Sequence, residues 1–151
     1  MYFDGDLIYF KKNFNTRDEL FHFIAENFKE KGYVNENFEN GIKEREKVYP
    51  TGLVLGKYCV AIPHTDADKV VKPQLQFITL DKPLKFYQMA DNKSEINVDF
   101  VVSLALKEPH AQLEMLQKLM GVFSNSELLD KLMVCDKITE VKKILKEQGI
   151  E

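Results

Sequence analysis

Apolar residues along the chain fall into two patterns, short runs that predict β-strands and longer stretches with helical spacing. The short runs are bounded by glycine, proline or polar turns, which is typical of strands in compact domains. They lie at residues 7–10, 53–55, 59–62, 74–80, 84–89 and 98–106. The last run is almost continuously apolar, so we expect it to form a central strand that is covered on both faces.

Helical spacing predicts five helices, which begin near residues 16, 35, 108, 124 and 139. Thr16 and Glu19 have the spacing of a capping box, and Gly32 is well placed to end the first helix. Asn35 is the expected cap of the second helix. The buried stripe predicted for the third helix contains Leu113, Leu116, Met120 and Phe123, widened by Met115 and Leu119.

The order of these elements predicts an α/β fold, with four to six strands in one sheet and helices packed against it. Short hairpins stand beside long helices, which favours a mixed sheet over a parallel one. Hydrophobic residues make up 44% of the 151 residues, as in ordinary globular proteins. Because no repeat or linker interrupts the pattern, we expect a single domain over residues 1–151.

Composition argues against several classes of function. The formal net charge is -3, which gives no electrostatic reason to expect nucleic-acid binding. Cys59 and Cys135 lack the spacing of a zinc site or a disulfide framework, so we expect reduced thiols. The first residues do not resemble a signal peptide, and no apolar run approaches the roughly 20 residues that cross a bilayer. These features predict a cytoplasmic protein without membrane insertion.

Common catalytic motifs are absent from the sequence. There is no glycine-rich phosphate loop, and no serine or cysteine lies in a nucleophile elbow. His64, Asp66 and Asp68 are close together, but three such groups on one loop are a weak metal signal. We interpret that loop as a solvated acidic segment and expect neither a metal ion nor a cofactor.

His64 is the strongest candidate for chemistry. It follows the apolar run at residues 59–62 and Pro63, which ends a strand because proline cannot donate to a ladder. If a backbone carbonyl accepts the Nδ1 hydrogen, Nε2 keeps a free lone pair. The imidazole could then attack an electrophile such as a phosphoryl group.

A negatively charged phosphohistidine would need donors around it. Arg45, one of only two arginines, could supply a charge-assisted fork from the end of the second helix. Thr65 could supply a hydroxyl and a backbone N–H for the phosphate. His110 lies in the first turn of the long third helix, at its positive end, and could donate from its ring.

These residues resemble the enzyme IIA domain of the sugar phosphotransferase system, in its mannitol/fructose family. The resemblance covers nearly the whole chain. Its order of Arg-Glu, Pro-Thr-Gly and Ala-Ile-Pro-His-Thr is most similar to the galactitol-type branch. The segments that carry it are Arg45-Glu46-Lys47, Pro50-Thr51-Gly52-Leu53, Val60-Ala61-Ile62-Pro63-His64-Thr65 and Glu108-Pro109-His110.

The resemblance implies a five-stranded mixed sheet and a phosphocarrier function. It implies that His64 accepts phosphate from phospho-HPr and passes it to a cognate enzyme IIB. Arg45 would then stabilise the phosphate, and His110 would be the second histidine of the site. The protein would meet the membrane only indirectly, through the enzyme IIC transporter, in the uptake of a sugar or polyol such as galactitol.

Two other interpretations remain open at this level. Enzyme IIA-like domains also occur in regulators, so the chain could be a binding module that docks a partner according to its phosphorylation state. A small histidine-dependent hydrolase is the third interpretation, although the sequence contains no evident general-base pair to support it.

Overall fold

The computed structural model describes residues 1–151 and has a five-stranded sheet with five α-helices. The sheet order is β1-β4-β5-β3-β2. β1 pairs with β4 and β3 with β5 in parallel, whereas β4–β5 and β2–β3 are antiparallel. The strands are β1 Ile8–Lys12, β2 Gly52–Leu55, β3 Tyr58–Ala61, β4 Gln74–Tyr87 and β5 Glu95–Ala105. The predicted α/β class with a mixed sheet is confirmed.

Helices cover both faces of this sheet. They are α1 Arg17–Glu30, α2 Phe38–Val48, α3 Pro109–Phe123, α4 Ser126–Val134 and α5 Ile138–Glu147, with a short 3₁₀ turn at Ala67–Lys69. One core lies between the sheet and α1 and α2, and the other between the sheet and α3, α4 and α5. The central strand β5 serves both cores, since Val101 packs on the first side and Val102 on the second.

The boundaries of β4 and α2 differ most from the sequence prediction. Residues 74–80 and 84–89 were expected as separate strands, but β4 continues through Pro83 with a register irregularity between Thr79 and Leu84. The second helix begins at Phe38 rather than near Asn35. The Asn35 side chain instead accepts the N–H of Asn37, which holds a turn before the helix.

The buried stripe of α3 is rotated relative to the prediction. Met115, Leu119, Val122 and Phe123 are buried, whereas Leu113 and Met120 are 54% and 46% exposed. Apolar residues cover too much of the helix circumference for periodicity alone to choose the inward face. The prediction was therefore wrong for Leu113 and Met120, which are left on the surface near the start and the end of the helix.

The caps predicted for α1 are confirmed. The Glu19 N–H donates to Thr16 Oγ1 at 3.2 Å, and the Glu19 carboxylate accepts the Thr16 N–H at 3.4 Å. Gly32 follows the helix with a φ of 78°, a conformation that glycine adopts without steric cost. None of the helices is both long enough and apolar enough to cross a membrane.

Candidate functional site

His64 lies where the parallel strands β3 and β5 come to an end. Beyond the last residue of β3 the chain stays against the central strand, and His64 forms a parallel bridge with Leu104. The Pro63 carbonyl accepts the Leu104 N–H at 3.2 Å and the buried Ser103 hydroxyl at 2.8 Å. Pro63 lacks a donor but keeps its acceptor, so the backbone before the histidine is fixed on the sheet.

The imidazole of His64 is half-buried, and its Nδ1 is 2.8 Å from the Ile62 carbonyl oxygen. A carbonyl can only accept, so Nδ1 carries the hydrogen and Nε2 has the free lone pair of the neutral ring. Nε2 makes no hydrogen bond within the protein. Burial lowers the pKa of His64 and the positive charge of Arg45 lowers it further, against the opposing effects of the Ile62 carbonyl and Asp66. The ring is therefore mostly neutral near pH 7, with an unbonded lone pair on Nε2.

Arg45 projects from the last turns of α2 with a partly exposed guanidinium. Its Nη1 is 3.5 Å from Asp66 Oδ1, and its Cζ lies 5.4 Å from the centre of the Tyr49 ring. Its Nε is buried and has no hydrogen-bond partner. The guanidinium is thus held by a carboxylate and an aromatic face while retaining donor capacity for an anion near His64.

Thr65 is buried between α2 and the start of α3. Its Oγ1 lies only 2.7 Å from the position that a Cβ on Gly41 would occupy, so α2 approaches this threonine closely because residue 41 has no side chain. Its carbonyl accepts from Gln112 Nε2 at 3.4 Å, and the same amide donates to the Leu106 carbonyl at 3.2 Å. Gln112, which sequence reasoning missed, therefore connects the first turn of α3 to the segment after His64.

His110 is the least integrated of the predicted site residues. Its side chain is 80% exposed, and its Nε2 lies 3.0 Å from Glu114 Oε1 one turn along α3. The ring makes no hydrogen bond to His64, Thr65 or Arg45. The fold therefore places His110 on the first turn that also carries Gln112, but with its ring directed to a neighbouring surface carboxylate.

Sequence reasoning also missed a buried acid beside Arg45. Glu46 is 5% exposed and accepts two hydrogen bonds from Thr51, from its N–H at 2.7 Å and from its hydroxyl at 2.8 Å. Burial raises the pKa of Glu46 to about 7, although Thr51 and the charges of Arg17 and Arg45 act to lower it. A run of charged residues such as 43–47 is typical of a solvated helix face. The glutamate is instead turned inward, and a threonine five residues later was its only sequence signal.

A possible metal-ligating group occurs away from the loop of His64. His22, Glu26 and Glu39 each place one ligand atom within 4.8 Å of the others. These groups already form ion pairs, since His22 Nδ1 is 2.8 Å from one Glu39 oxygen and Lys43 Nζ is 2.8 Å from the other. His64, Asp66 and Asp68, the sequence-level alternative, do not form such a group.

Comparison with known families decides what kind of protein carries this site. The family described as "Phosphoenolpyruvate-dependent sugar phosphotransferase system, EIIA 2" matches residues 1–148. The chain belongs to this enzyme IIA family. It is therefore a phosphotransferase component that acts as a phosphocarrier for a sugar or polyol system.

Two curated relatives and one solved complex are similar to this enzyme IIA over most of its length. The galactitol-specific EIIA component of Escherichia coli K12 is 27% identical over 120 residues, which are 80% of this chain and 79% of that protein. The mannitol-specific enzyme IIA component of Mycoplasma pneumoniae is 32% identical over 143 residues, 89% of each chain. The fold also matches Escherichia coli enzyme IIA for mannitol, in a complex with phosphorylated enzyme IIB. That match has a TM-score of 0.76 and 21% identity, and it covers 94% of this chain and 95% of that one.

Proposed function

We propose that Nε2 of His64 accepts a phosphoryl group from phospho-HPr and transfers it to a cognate enzyme IIB. The observation that supports this most directly is the Nδ1 contact with the Ile62 carbonyl, which leaves Nε2 unbonded. The lowered pKa of His64 keeps that nitrogen unprotonated at neutral pH. Both steps are reactions of one nitrogen, so the two partner proteins use the same face in turn.

The chemistry requires no change at Nδ1. The Nε2 lone pair forms the new N–P bond while the bond from phosphorus to the donor residue of HPr breaks, and its electron pair returns to that residue. In the second step the nucleophile of enzyme IIB attacks phosphorus, and the N–P electrons return to Nε2. Nδ1 donates to the Ile62 carbonyl throughout, which fixes the ring for in-line transfer.

Arg45 is the proposed stabiliser of the phosphoryl group. Its guanidinium faces the exposed carboxylate of Asp66 at 3.5 Å, which is a weak partner because Asp66 is largely solvated. A phosphate on His64 would carry more negative charge than Asp66, and a planar fork can bind it through two parallel hydrogen bonds. The transfer therefore includes a change of partner by Arg45.

Thr65 and His110 are proposed as further contributors. The Thr65 hydroxyl is packed close to Gly41, which favours a contribution from its backbone N–H rather than from its side chain. His110 would have to turn from Glu114 in order to donate to a phosphate. Its contribution is therefore conditional on a rotation that an exposed side chain makes easily.

We assign partner binding to the surface around His64. The candidates are Leu53 and Val54 of β2 and the Met115–Met120 face of α3, of which Val54 and Met120 are well exposed; Leu113 is exposed on the same helix. The related mannitol enzyme IIA is found with phosphorylated enzyme IIB, which supports enzyme IIB as a partner here. We propose a cytoplasmic single domain over residues 1–151, linked to the membrane only through the enzyme IIC transporter.

Galactitol is the proposed substrate of the system, within the polyol class. The galactitol-specific and mannitol-specific relatives both support a polyol. The galactitol choice rests on the order of motifs around Thr51 and His64. Uptake of labelled galactitol and mannitol with reconstituted enzymes IIB and IIC would distinguish the two polyols.

The phosphocarrier proposal is tested with phosphoenolpyruvate, enzyme I and HPr. We expect the intact mass to increase by one acid-labile phosphate, which His64→Ala abolishes. His22→Ala removes an exposed histidine on α1 and is the matched control, expected to be phosphorylated like the wild type. An unmodified wild type in the presence of competent phospho-HPr would refute the proposal. Phosphorylation without transfer to any enzyme IIB would instead favour the regulatory interpretation.

A further inference from the structure

Glu46 is the only acidic or basic side chain that is buried in the protein. It lies next to Arg45 in α2, but its carboxylate points away from solvent and contacts the chain just before β2. Burying a charge is costly unless hydrogen bonds compensate it. A buried carboxylate beside a functional arginine therefore needs an explanation that fold stability alone does not supply.

A continuous series of hydrogen bonds runs from the His64 ring to Glu46. His64 Nδ1–H donates to the Ile62 carbonyl at 2.8 Å, and the Ile62 N–H donates to Thr51 Oγ1 at 3.2 Å. The Thr51 hydroxyl then donates its one hydrogen to Glu46 Oε1 at 2.8 Å, and the Thr51 N–H donates to Oε2 at 2.7 Å. Each donor is directed toward the carboxylate, so the negative charge orients the Thr51 hydroxyl.

From this series we infer that Glu46 and Thr51 are positioning residues for phosphoryl transfer, which hold the Ile62 backbone so that its carbonyl anchors the His64 ring. The inference rests on the proposed function of His64. Neither residue touches the phosphorus or the partner protein, since both are buried and act through Ile62. Thr51 holds residue 62 by accepting its backbone N–H, and the carbonyl of residue 62 holds the imidazole.

The pair also links the two elements that supply the site. Arg45 comes from α2 and His64 from the end of β3, and these elements are joined by the β2–β3 hairpin. Glu46 follows Arg45 directly and holds Thr51 at the start of that hairpin. A shift of α2 therefore moves the arginine and the histidine anchor together, which preserves the distance between them.

The ionised form of Glu46 fits this arrangement better than the protonated form. A proton on the carboxyl would donate to Thr51 Oγ1, which already accepts from Ile62, and the Thr51 hydrogen would then lose its acceptor. The pKa of Glu46, near 7 because of burial, puts this change in an accessible range. Glu46 borders a small cleft between α1 and α2. The other ionisable groups that line this cleft are Arg17 and Asp18 of α1, Lys43 and Lys47 of α2, and Tyr87 of β4.

The first test removes the hydroxyl of Thr51 and follows two separate signals. In Thr51→Val we expect single-turnover phosphorylation by phospho-HPr to be slower by about 10- to 100-fold, the range found when reacting groups are misplaced by about 1 Å. We also expect the ¹⁵N and ¹H signals of the His64 ring to lose the pattern of a hydrogen-bonded Nδ1–H. Thr51→Ser keeps the hydroxyl and should restore both signals.

Thr79→Val is the matched control for this experiment. Thr79 is also a buried threonine whose hydroxyl accepts a backbone N–H, from Lys11 at 2.9 Å, but it lies in β4, away from His64. Its loss should leave the His64 ring signals and the transfer rate unchanged. Wild-type ring signals and rate in Thr51→Val would overturn the positioning role.

The second test uses Glu46→Gln and also decides the case in which Thr51→Val does not fold. The amide that replaces the carboxylate can contact both the N–H and the hydroxyl of Thr51, but it does not ionise. Only the wild type therefore changes its protonation state at position 46. The ratio of the wild-type transfer rate to the Glu46→Gln rate should rise between about pH 6 and about pH 8. A flat ratio would refute the role of the carboxylate. Absence of phosphate on wild-type His64 would instead refute the proposed function, whereas the ring signals report positioning independently of transfer.

Discussion

The α2 side and the α3 side of His64 are built in different ways. On the α2 side, Glu46 and Thr51 are buried and the polar atoms of both side chains are hydrogen-bonded. On the α3 side, His110 is exposed and contacts only a neighbouring surface acid. Buried, mutually satisfied groups hold one geometry, whereas exposed ion pairs contribute little and rearrange freely. The geometry of the His64 ring is therefore set from the α2 side.

Edge-to-face phenylalanine pairs occur in both cores, such as Phe28 with Phe38 under α2 and Phe100 with Phe123 under α3, so ring packing does not distinguish the two sides. The N-terminal half of α2 is close enough to the His64 segment that Gly41 leaves no room for a Cβ. This close approach of α2 restricts movement on its side of the site. The first turn of α3 is joined to this segment and to the preceding strand end by the two amide hydrogen bonds of Gln112.

The largest expected effect is the pH dependence of stability that Glu46 imposes. Its pKa is about 7 in the fold against 4.5 in the unfolded chain, so the folded state binds the proton more tightly. Stability from this group is therefore present below about pH 4.5 and is lost as pH rises through about 7, a change of about 3 kcal/mol. Urea unfolding of the wild type and Glu46→Gln across this range measures the difference.

The control for that series is Glu114→Gln on the α3 side. Glu114 is exposed and pairs only with His110, so its removal should leave the pH dependence of unfolding as in the wild type. Equal pH slopes for Glu46→Gln and the wild type would mean that the buried carboxylate is not the group that titrates, and the contrast between the two sides would lose its electrostatic basis.

Removal of Arg45 should have the next largest effect, on transfer rather than on stability. We expect Arg45→Ala to slow single-turnover phosphorylation by about 100-fold, the usual cost of losing one preorganised donor to a developing charge. Arg45→Lys should lose about tenfold, because a point charge replaces a bidentate fork. Lys47→Ala is the control, since Lys47 is exposed on the same helix and pairs with Glu44. Unchanged rates in both Arg45 variants would remove it from the site.

A methyl group added at Gly41 should destabilise the fold by a smaller amount. Its Cβ would lie 2.7 Å from both Thr65 Oγ1 and Lys69 Cδ, so overpacking should outweigh the better helix propensity of alanine and cost about 1–2 kcal/mol. Gly121→Ala in α3 is the matched control. No atom lies within 4 Å of its added Cβ, and we expect a gain of about 0.5–1 kcal/mol. Thermal unfolding that ranks the two variants in the opposite order would contradict the close approach of α2.

The sequence predicted the elements of this site better than their contacts. Pro63 and the apolar run before it located the strand end at His64, and the capping box located α1, because both signals depend on neighbouring residues. The inward turn of Glu46 depends on Thr51 and Ile62, which lie on other elements. The face of α3 was mispredicted because Leu113 and Met120 match the periodicity as well as the buried residues do. Tertiary packing decides both the direction of Glu46 and the buried face of α3, and the periodicity of the sequence carries no information about that packing.

The smallest expected effect is that of His110. Its ring is exposed and paired with Glu114, so a hydrogen bond to phosphate would replace one exposed contact with another. We expect His110→Ala to slow transfer about threefold, which corresponds to less than about 1 kcal/mol. Glu114→Ala frees the ring and should leave transfer equal or slightly faster. A loss in His110→Ala as large as that in Arg45→Ala would show that α3 becomes ordered around the phosphate when a partner binds, and the site would then be built equally from both sides.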